Sequence, residues 1–383
     1  MKRMKLFIPL LSVLSISLTS CYKDPNVVNF TIHDVTDNEI HTDFQLGLLN
    51  AEYPDNFINQ HKYEFNSYSN SASKSIDVTY LVNSDTNGKI KRITVDVSEE
   101  ENFTKYWTFD GVNGYTSLYN LKTNTTYYYR VNAEYQTVFT SEIKSFKTTS
   151  VSMRNIDVEG VENVRDLGGY LLEDGNYSKQ GLIYRSAQFN YNHSDGSALK
   201  SEPTSKGREI LLNQLGIKSD IDLREKENKQ GQDETAGINS SPLGNTVNYV
   251  HLPMRYGGSN IFNSESNKAN IKAFFEYLSE ESHYPVIFHC IRGTDRTGAL
   301  AYVLEALLGT SENDLLKDYL FSNYANIGGS ALTTRDIDGT SYYVYGIANS
   351  EGSSMKEKAA NYLKNTIGVS QDTIDKIVNI MTN

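Results

Sequence analysis

Two neighbouring segments that lack a polar face constrain the fold of this chain most strongly. Residues 285–288 form a continuous apolar run, which predicts a strand buried on both faces. Residues 299–308 are apolar almost all round, which predicts a buried helix, and Gly309 fits its C-terminal cap. A buried strand followed by a short loop and a buried helix indicates an α/β sheet.

Helical and strand patterns alternate through the rest of the C-terminal half. The predicted helices cover residues 204–215, which end at Gly216, and residues 271–278; the predicted strands cover residues 217–223 and 247–252. Ser311 and Asp314 are spaced as in a capping box that opens another helix. We therefore expect a C-terminal α/β domain over residues 151–383, with a mainly parallel central sheet flanked by helices.

The N-terminal half has a different pattern. Residues 30–150 contain short runs of alternating, β-branched or aromatic residues separated by turn formers, and Asn87-Gly88 is a good hairpin signal. This pattern predicts an all-β sandwich. Residues 118–131 resemble the E–F corner of a fibronectin type III domain, in which Tyr127 would bond back to nearby backbone. We favour a spacer module over a dedicated binding module.

The first residues read as a targeting segment. Lys2, Arg3 and Lys5 precede an apolar stretch at residues 6–18 that is too short to span a membrane. The sequence up to Cys21 resembles a bacterial lipobox, which implies lipidation of Cys21, with an ordinary cleaved signal as the alternative. We expect a signal peptide at residues 1–20, a tether at residues 21–29 and a protein lipid-anchored in the bacterial cell envelope, with periplasmic and surface-exposed orientations both open.

Composition disfavours two classes of protein. The net charge of −11 disfavours nucleic-acid binding, because a phosphate backbone needs a basic face, so any phosphate site must be a local pocket. Only two cysteines, Cys21 and Cys290, are present, which disfavours a domain stabilised by disulfides. Each of these cysteines instead lies in a motif of its own.

The second cysteine opens the loop between the predicted buried strand and buried helix, in the sequence His289-Cys290-Ile291-Arg292-Gly293-Thr294-Asp295-Arg296-Thr297-Gly298. Successive backbone N–H groups in such a loop form an anion cradle, to which a helix N-terminus adds positive potential. Arg296 can hold two phosphate oxygens, and the same surroundings should lower the pKa of the Cys290 thiol, which would make it an activated nucleophile. The alternative is a structural cysteine beside an ordinary Arg296 salt bridge.

This loop resembles the signature of the protein tyrosine phosphatase superfamily, and other segments in the expected order are similar to its bacterial members. These segments are residues 163–170, with Arg165 and Asp166, then 184–187, 215–227 and 318–323. The resemblance implies displacement through a phosphocysteine on Cys290, with no metal or cofactor. It also implies that Arg296 and the N–H groups of residues 291–296 bind phosphate, that Thr297 hydrogen-bonds the departing thiolate, and that His289 supports the cysteine.

The general acid and the substrate are less constrained. Residues 251–258, where many superfamily members place an acidic loop, contain no carboxylate, so Asp295 is the first candidate and Asp222 the second. Asp222 could equally pair with Arg165 or Arg224. Position 294 is Thr where related loops usually carry Lys, and Arg292 is the candidate for the missing charge.

Three functions remain as hypotheses. The leading one is a protein phosphotyrosine phosphatase acting on a phosphorylated protein or a small phosphomonoester. The second is a phosphoinositide or inositol phosphate phosphatase, and the third is a surface lipoprotein that binds a phosphorylated ligand without turnover. Two insertions, the polar residues 225–246 and the Tyr- and Gly-rich residues 327–353, could gate access to the site. For the second, a surface hairpin is favoured over an aromatic substrate clamp.

Overall fold

The computed structural model describes residues 28–66, 73–84, 90–112, 114–149, 152–190, 201–226, 238–255, 261–262, 264–325 and 346–383. The predicted signal peptide, Cys21, the Asn87-Gly88 hairpin and the tyrosines at positions 342–345 lie outside these residues, as does the predicted domain boundary at 150–151. In the part of the chain that is described, no helix has the length and apolar character needed to cross a bilayer.

In the described residues of the N-terminal half, eight short strands form two antiparallel sheets. They are β1 (Val28–Ile32), β2 (Ile76–Ser84), β3 (Arg92–Ser98), β4 (Trp107–Asp110), β5 (Tyr115–Leu118), β6 (Thr126–Glu134), β7 (Val138–Thr140) and β8 (Lys144–Lys147). One sheet has the order β1-β2-β5 and the other β4-β3-β6-β7, with β8 also paired to β6. Alternate residues of β6, including Tyr127 and Tyr129, are buried in a core that both sheets share.

The corner before β6 contains the hydrogen bond to nearby backbone that was expected for Tyr127. The hydroxyl of Tyr127 accepts a hydrogen bond from the backbone N–H of Lys122 at 2.8 Å. The resemblance to a fibronectin type III domain stays a prediction.

Two helices are found among the described residues between β1 and β2, so the prediction of an all-β structure is wrong there. These are α1 (Asp43–Leu49) and α2 (Pro54–His61), followed by a 3₁₀ turn at Glu64–Asn66. A capping box starts α1: the N–H of Gln45 donates to the Thr42 hydroxyl at 3.2 Å, and the N–H of Thr42 donates to the Gln45 side chain at 3.0 Å. Leu48, Ile58 and Phe65 are buried in the core of the C-terminal half rather than between the two sheets.

A six-stranded mixed sheet organises the C-terminal half. Its strands are β9 (Arg154–Asn155), β10 (Arg165–Asp166), β11 (Ile183–Ser186), β12 (Ser219–Asp222), β13 (Asn248–His251) and β14 (Val286–His289), in the order β13-β12-β14-β11-β10-β9. The four strands from β13 to β11 are parallel, and β10 and β9 continue the sheet antiparallel. The α/β class with a mainly parallel centre agrees with the expectation from sequence.

Helices cover both faces of this sheet. They are α3 (Ser205–Glu209), which continues as a π turn at Ile210–Gln214, α4 (Glu265–Leu278), α5 (Arg296–Leu308), α6 (Glu312–Phe321), α7 (Met355–Asn361), which continues at Tyr362–Ile367, and α8 (Gln371–Thr382). Val286 and Phe288 of β14 pack into one core and Ile287 into the other, as expected for a strand buried on both faces. Every residue of α5 is buried.

Several hydrogen bonds join the two halves. Asn120, which has a positive φ of 62°, exchanges hydrogen bonds with the backbone of Asp157 at 2.7 and 3.1 Å. Gln180 does the same with the backbone of Thr123, at 2.9 Å in both directions. Because each side-chain amide is held at both its oxygen and its nitrogen, the N-terminal sheets are fixed against the C-terminal half in one orientation.

Candidate active site

The loop from Cys290 to Asp295 joins β14 to α5 at the carboxyl end of the parallel strands. This edge is where open α/β sheets bind ligands. Gly293 lies where the loop turns back on β11, with a φ of 69°. A Cβ at this position would be 2.2 Å from the carbonyl oxygen of Ser186, so only glycine allows the close approach.

Four successive carbonyl groups of this loop accept hydrogen bonds from the surrounding framework. The donors are Gln188 N to Ile291 O at 3.1 Å, Asn163 Nδ2 to Arg292 O at 3.0 Å, Arg185 Nη2 to Gly293 O at 2.6 Å and Gly298 N to Thr294 O at 2.9 Å. The C=O and N–H of a trans peptide point in opposite directions. With the carbonyls held outward, the N–H groups of residues 292–295 are therefore turned toward the centre of the loop, where an anion can bind.

The thiol of Cys290 lies at the base of this cradle, with only 3% of the residue exposed. Burial alone would raise the pKa of the thiol, but the Arg296 guanidinium and the hydroxyl and N–H of Thr297 outweigh burial, so that the pKa is lowered from its usual value. Thr297 is in the first turn of α5, whose N-terminus adds positive potential. These surroundings favour a thiolate.

Arg296 is held close to the loop by the segment that follows β13. The residue is buried, and its Nη1 donates to the carbonyl oxygen of Met254 at 3.3 Å. A buried guanidinium at the first position of α5 can hold two oxygens of a bound oxyanion through its planar fork.

A buried ionic network supports the loop from the side of α6. Asp318 pairs with Arg165, whose Nε is 3.0 Å from its carboxylate, and with Nη1 of Arg185. Burial would raise the pKa of Asp318, but the two guanidinium groups outweigh it and lower that pKa. Arg165 also donates to the side chain of Asn163, which in turn holds Arg292 O. Arg165 therefore acts on the loop through Asn163 rather than by direct contact.

Asp166 holds the entry segment rather than the loop. Its carboxylate accepts from the N–H groups of Gly168 at 2.9 Å and Gly181 at 2.8 Å, and from Nη2 of Arg154 at 3.0 Å. All of its partners lie in or beside β9, β10 and β11. Its role in the described structure is to fix the segment that positions Arg165.

Asp222 and His289 form a second buried cluster, beneath the loop. Both oxygens of Asp222 accept from Arg224, at 2.9 and 2.7 Å, and one also accepts from the Tyr249 hydroxyl at 2.9 Å. Burial would raise the pKa of Asp222, but His289 and Arg224 outweigh it and hold that pKa well below its usual range. A carboxylate so stabilised is a poor proton donor. Of the two pairings considered from sequence, the structure has the one with Arg224.

His289 lies between two carboxylates. Its Nε2 is 3.1 Å from Asp220 and its Nδ1 is 3.9 Å from Asp222. Burial would lower the pKa of His289, but these two carboxylates outweigh it and raise that pKa. The residue that precedes the thiol is thus anchored by two carboxylates, and its Nδ1 is also 3.3 Å from the carbonyl oxygen of Cys290.

The remaining predicted residues differ in exposure. Asp295 is half-buried directly before Arg296, and the Thr294 hydroxyl is 3.4 Å from its carboxylate. Thr294 itself is fully buried and Arg292 is exposed. Within the described residues, no three His, Cys, Asp or Glu side chains are grouped so as to hold a metal ion.

Sequence reasoning gave no role to Arg185 or Gln188, which both bind the loop backbone. A signal was present for the first. Arg185 interrupts a short strand that is buried on both faces, and a buried charge needs a partner.

Comparison with known proteins identifies a family for the C-terminal half. Residues 156–383 match the family described as the Tyrosine phosphatase family. A protein of Cupriavidus necator, provisionally named a tyrosine-protein phosphatase, is 28% identical over 190 residues, which cover 43% of this chain and 62% of that relative's length.

Two solved structures were also found, one of the core catalytic domain of the PP-IP phosphatase Siw14 from S. cerevisiae and one described as the Siw14 catalytic core. The core catalytic domain in complex with citrate is 18% identical with a TM-score of 0.28, covering 47% of this chain and 85% of that one. The catalytic core is 17% identical with a TM-score of 0.31, covering 56% and 96%. Since the family match spans residues 156–383 of a chain of 383, the protein belongs to the tyrosine phosphatase family.

Proposed function

We propose that this protein is a cysteine-dependent phosphatase that hydrolyses protein phosphotyrosine through a phosphocysteine intermediate. The observation that carries the proposal is the surroundings of Cys290, a buried thiol with a lowered pKa at the base of a loop whose carbonyls are held outward. Such a loop binds a tetrahedral oxyanion directly above the sulfur.

In the first step, the Cys290 thiolate attacks phosphorus in line with the bond to the tyrosyl oxygen. The S–P bond forms as the P–O bond breaks, and the departing oxygen takes a proton from Asp295. Arg296 and the inward N–H groups of the loop stabilise the charge on the three equatorial oxygens. Arg292, Gly293, Thr294 and Asp295 contribute their inward N–H groups, and Ile291 contributes through its carbonyl, which the N–H of Gln188 holds outward.

In the second step, water attacks phosphorus of the phosphocysteine. Asp295, now ionised, accepts a proton from this water, the P–S bond breaks and inorganic phosphate leaves. The sulfur departs as a thiolate, which the hydroxyl of Thr297 stabilises, as it does in the free enzyme. His289 and its carboxylates keep the end of β14 in place through both steps.

Asp295 is proposed as the proton donor because the Asp222 carboxylate is already engaged in hydrogen bonds with other side chains. The carboxylate of Asp222 is fully buried, accepts three side-chain hydrogen bonds and has a strongly lowered pKa. Asp295 is half-buried and adjoins Arg296 in the loop itself. A positioned general acid contributes about 10²–10⁴-fold.

The leaving group favours phosphotyrosine over alkyl phosphates. A tyrosine phenol has a pKa of about 10 and departs with less help from an acid than an alkyl alcohol does. Residues 251–258 provide no carboxylate for that help, which leaves a single candidate donor inside the loop. Inositol phosphates and phosphoserine, both with alkyl leaving groups, should therefore be poorer substrates.

The experiment is hydrolysis of a chromogenic aryl phosphate and of phosphotyrosine, phosphoserine and inositol phosphate substrates by wild type and Cys290→Ser. We expect activity that Cys290→Ser abolishes and that a chelator leaves unchanged, with phosphotyrosine preferred. Binding without turnover in the wild type would favour the non-catalytic lipoprotein, and a preference for inositol phosphates would overturn the phosphotyrosine assignment.

We further propose that Cys21 carries a lipid anchor that holds the protein in the bacterial cell envelope, on the strength of its lipobox-like context. Metabolic labelling with a fatty acid should mark wild type and not Cys21→Ala. Labelling of both proteins, or of neither, would contradict the anchor.

A further inference from the structure

A pocket lies beside the segment that holds Arg296. Its polar lining includes Glu225, Lys226, His251, Arg255, Ser266 and Asn270. Three of these side chains are basic, in a chain whose net charge is −11. We call this group of residues the cationic pocket.

The wall of the cationic pocket is continuous with the phosphate-binding site. Pro253 and Arg255 line the pocket, and Met254 between them provides the carbonyl that accepts from Arg296 Nη1 at 3.3 Å. One three-residue segment thus contacts the candidate phosphate clamp through its middle residue and the pocket through its flanks. A ligand phosphate on Arg296 would place its neighbouring groups near this pocket.

Two asparagines of α4 hold that segment in place. Asn267 is fully buried, accepts from the N–H of Arg255 at 2.8 Å and donates to the carbonyl of Arg255 at 3.2 Å. Asn270 donates to the carbonyl of Pro253 at 2.7 Å. Because the backbone on both sides of Met254 is fixed, the position of Arg255 relative to the phosphate site is also fixed.

The charges of the cationic pocket are only partly compensated. Arg255 Nε is 3.9 Å from Glu225, a loose contact, and its side chain is 53% exposed. Lys226 is also exposed. The Nε2 of His251 donates to the carbonyl oxygen of Arg224 at 2.8 Å, which ties this side chain to the backbone next to Glu225. Among the described residues that line the pocket, Glu225 is the one carboxylate, and Lys226 and Arg255 are two positively charged side chains.

We propose that the cationic pocket binds a second anionic group of the substrate, a carboxylate or phosphate next to the phosphate being removed. The inference rests on the proposed function and deepens it. For a phosphotyrosine peptide, the second group is a glutamate or aspartate beside the phosphotyrosine. The exposed position of Lys226 and Arg255 suits a group carried on an extended chain.

The test compares two phosphotyrosine peptides that differ only in having glutamate or glutamine beside the phosphotyrosine. We expect wild type to favour the acidic peptide in kcat/KM by about fivefold, as exposed charge pairs are weak. In Lys226→Gln/Arg255→Gln this ratio should fall to about one. The matched control Arg92→Gln/Lys144→Gln removes one arginine and one lysine from the N-terminal sheets and should keep the wild-type ratio.

Two further experiments identify the source of the second anion. They also distinguish a failure of the cationic pocket from a failure of the phosphotyrosine assignment. Inositol bisphosphate is compared with inositol monophosphate in the same variants. Calorimetry with Cys290→Ser measures the ratio of peptide affinities without turnover. If no peptide is hydrolysed but the bisphosphate is preferred through Lys226 and Arg255, the phosphotyrosine assignment fails and the cationic pocket stands. Equal rates and affinities within both pairs, or ratios unchanged in Lys226→Gln/Arg255→Gln, would overturn the pocket.

Discussion

Arg185 donates a hydrogen bond of 2.6 Å to the carbonyl oxygen of Gly293, at the tightest point of the candidate phosphate loop. The same guanidinium pairs with Asp318 of α6, which also pairs with Arg165. The loop is thereby connected through a buried carboxylate to a helix outside the site. The loop geometry and the stability of the C-terminal half therefore depend on the same ion pairs.

The first prediction concerns Asp318. Replacing it with Asn should lower the free energy of unfolding by about 3–5 kcal/mol, because two buried guanidinium groups would lose their counter-charge. Urea unfolding measures the change. Asp372→Asn, in the first turn of α8, is the control: it loses an exposed ion pair with Lys376 of the same helix and should change stability by less than about 1 kcal/mol. Equal losses in the two variants would show that the Asp318 network does not stabilise the fold.

The second prediction concerns the Cys290 thiol. Arg296→Ala should raise the pKa of this thiol. Burial raises that pKa, and the Arg296 guanidinium is the main group that counteracts burial. A rise of one pKa unit would slow alkylation by iodoacetamide about tenfold at a pH below both values. The pH dependence of alkylation measures the shift, with Arg92→Ala as the control. An unchanged midpoint in Arg296→Ala would remove the electrostatic basis of the proposed nucleophile.

The third prediction is a pH dependence of stability due to His289. Its pKa is raised in the folded state by Asp222 and Asp220, against the effect of burial. The resulting stabilisation is complete below the unfolded pKa of about 6.5 and is lost as the pH rises through the folded value. The free energy of unfolding should therefore fall over this range.

The measurement of the His289 effect needs the Cys290→Ser background. The lowered pKa of Cys290 gives a stabilisation that grows with pH above its folded value, which opposes the His289 slope. In Cys290→Ser the fall above about pH 6.5 should be visible by denaturant titration, and adding His289→Gln should remove it. A slope that persists in the double variant would assign the pH dependence to another group.

Much of the candidate site could be predicted because its signals are local. The apolar runs at residues 285–288 and 299–308 require burial on all sides, which leaves few folds for them. Cys290, Gly293 and Arg296 lie in one short stretch of sequence, so the loop between strand and helix brings them close together. The relative positions of residues within one short loop can be predicted without knowing how the rest of the chain packs.

The predictions that were open or wrong concern residues whose roles depend on contacts distant in the sequence. The sequence indicated that Asp222 could be an acid or a pairing residue, and only its contacts with Arg224 and Tyr249 separate the two. The helices at Asp43–Leu49 and Pro54–His61 were missed because strand-like runs on either side dominated the pattern. The capping box of Thr42 and Gln45 and the proline that begins α2 were the available local signals.

The last prediction tests whether these two helices belong to the core of the C-terminal half. The hydroxyl of Tyr324 donates to the carbonyl of Phe44 at 2.6 Å, and Leu48 is fully buried in the same core as α5. Leu48→Ala should therefore cost about 2–5 kcal/mol, through lost burial and a cavity. Trp107, the only tryptophan, is in β4 and its indole donates to the carbonyl of Gln214 at 3.2 Å, so its fluorescence reports on the N-terminal sheets where they meet the C-terminal half, and aryl phosphatase activity reports on the site.

Both signals should move to lower urea concentration together in Leu48→Ala, because the helices inserted between β1 and β2 join the two halves. Leu81→Ala is the matched control: Leu81 is in β2 and 55% exposed, so its loss should change stability by less than about 0.5 kcal/mol. If Leu48→Ala shifted the fluorescence transition and left the activity transition unchanged, α1 and α2 would belong energetically to the N-terminal sheets. A shift of the activity transition shows instead that the C-terminal half completes its core with residues from between two strands of the preceding sheet.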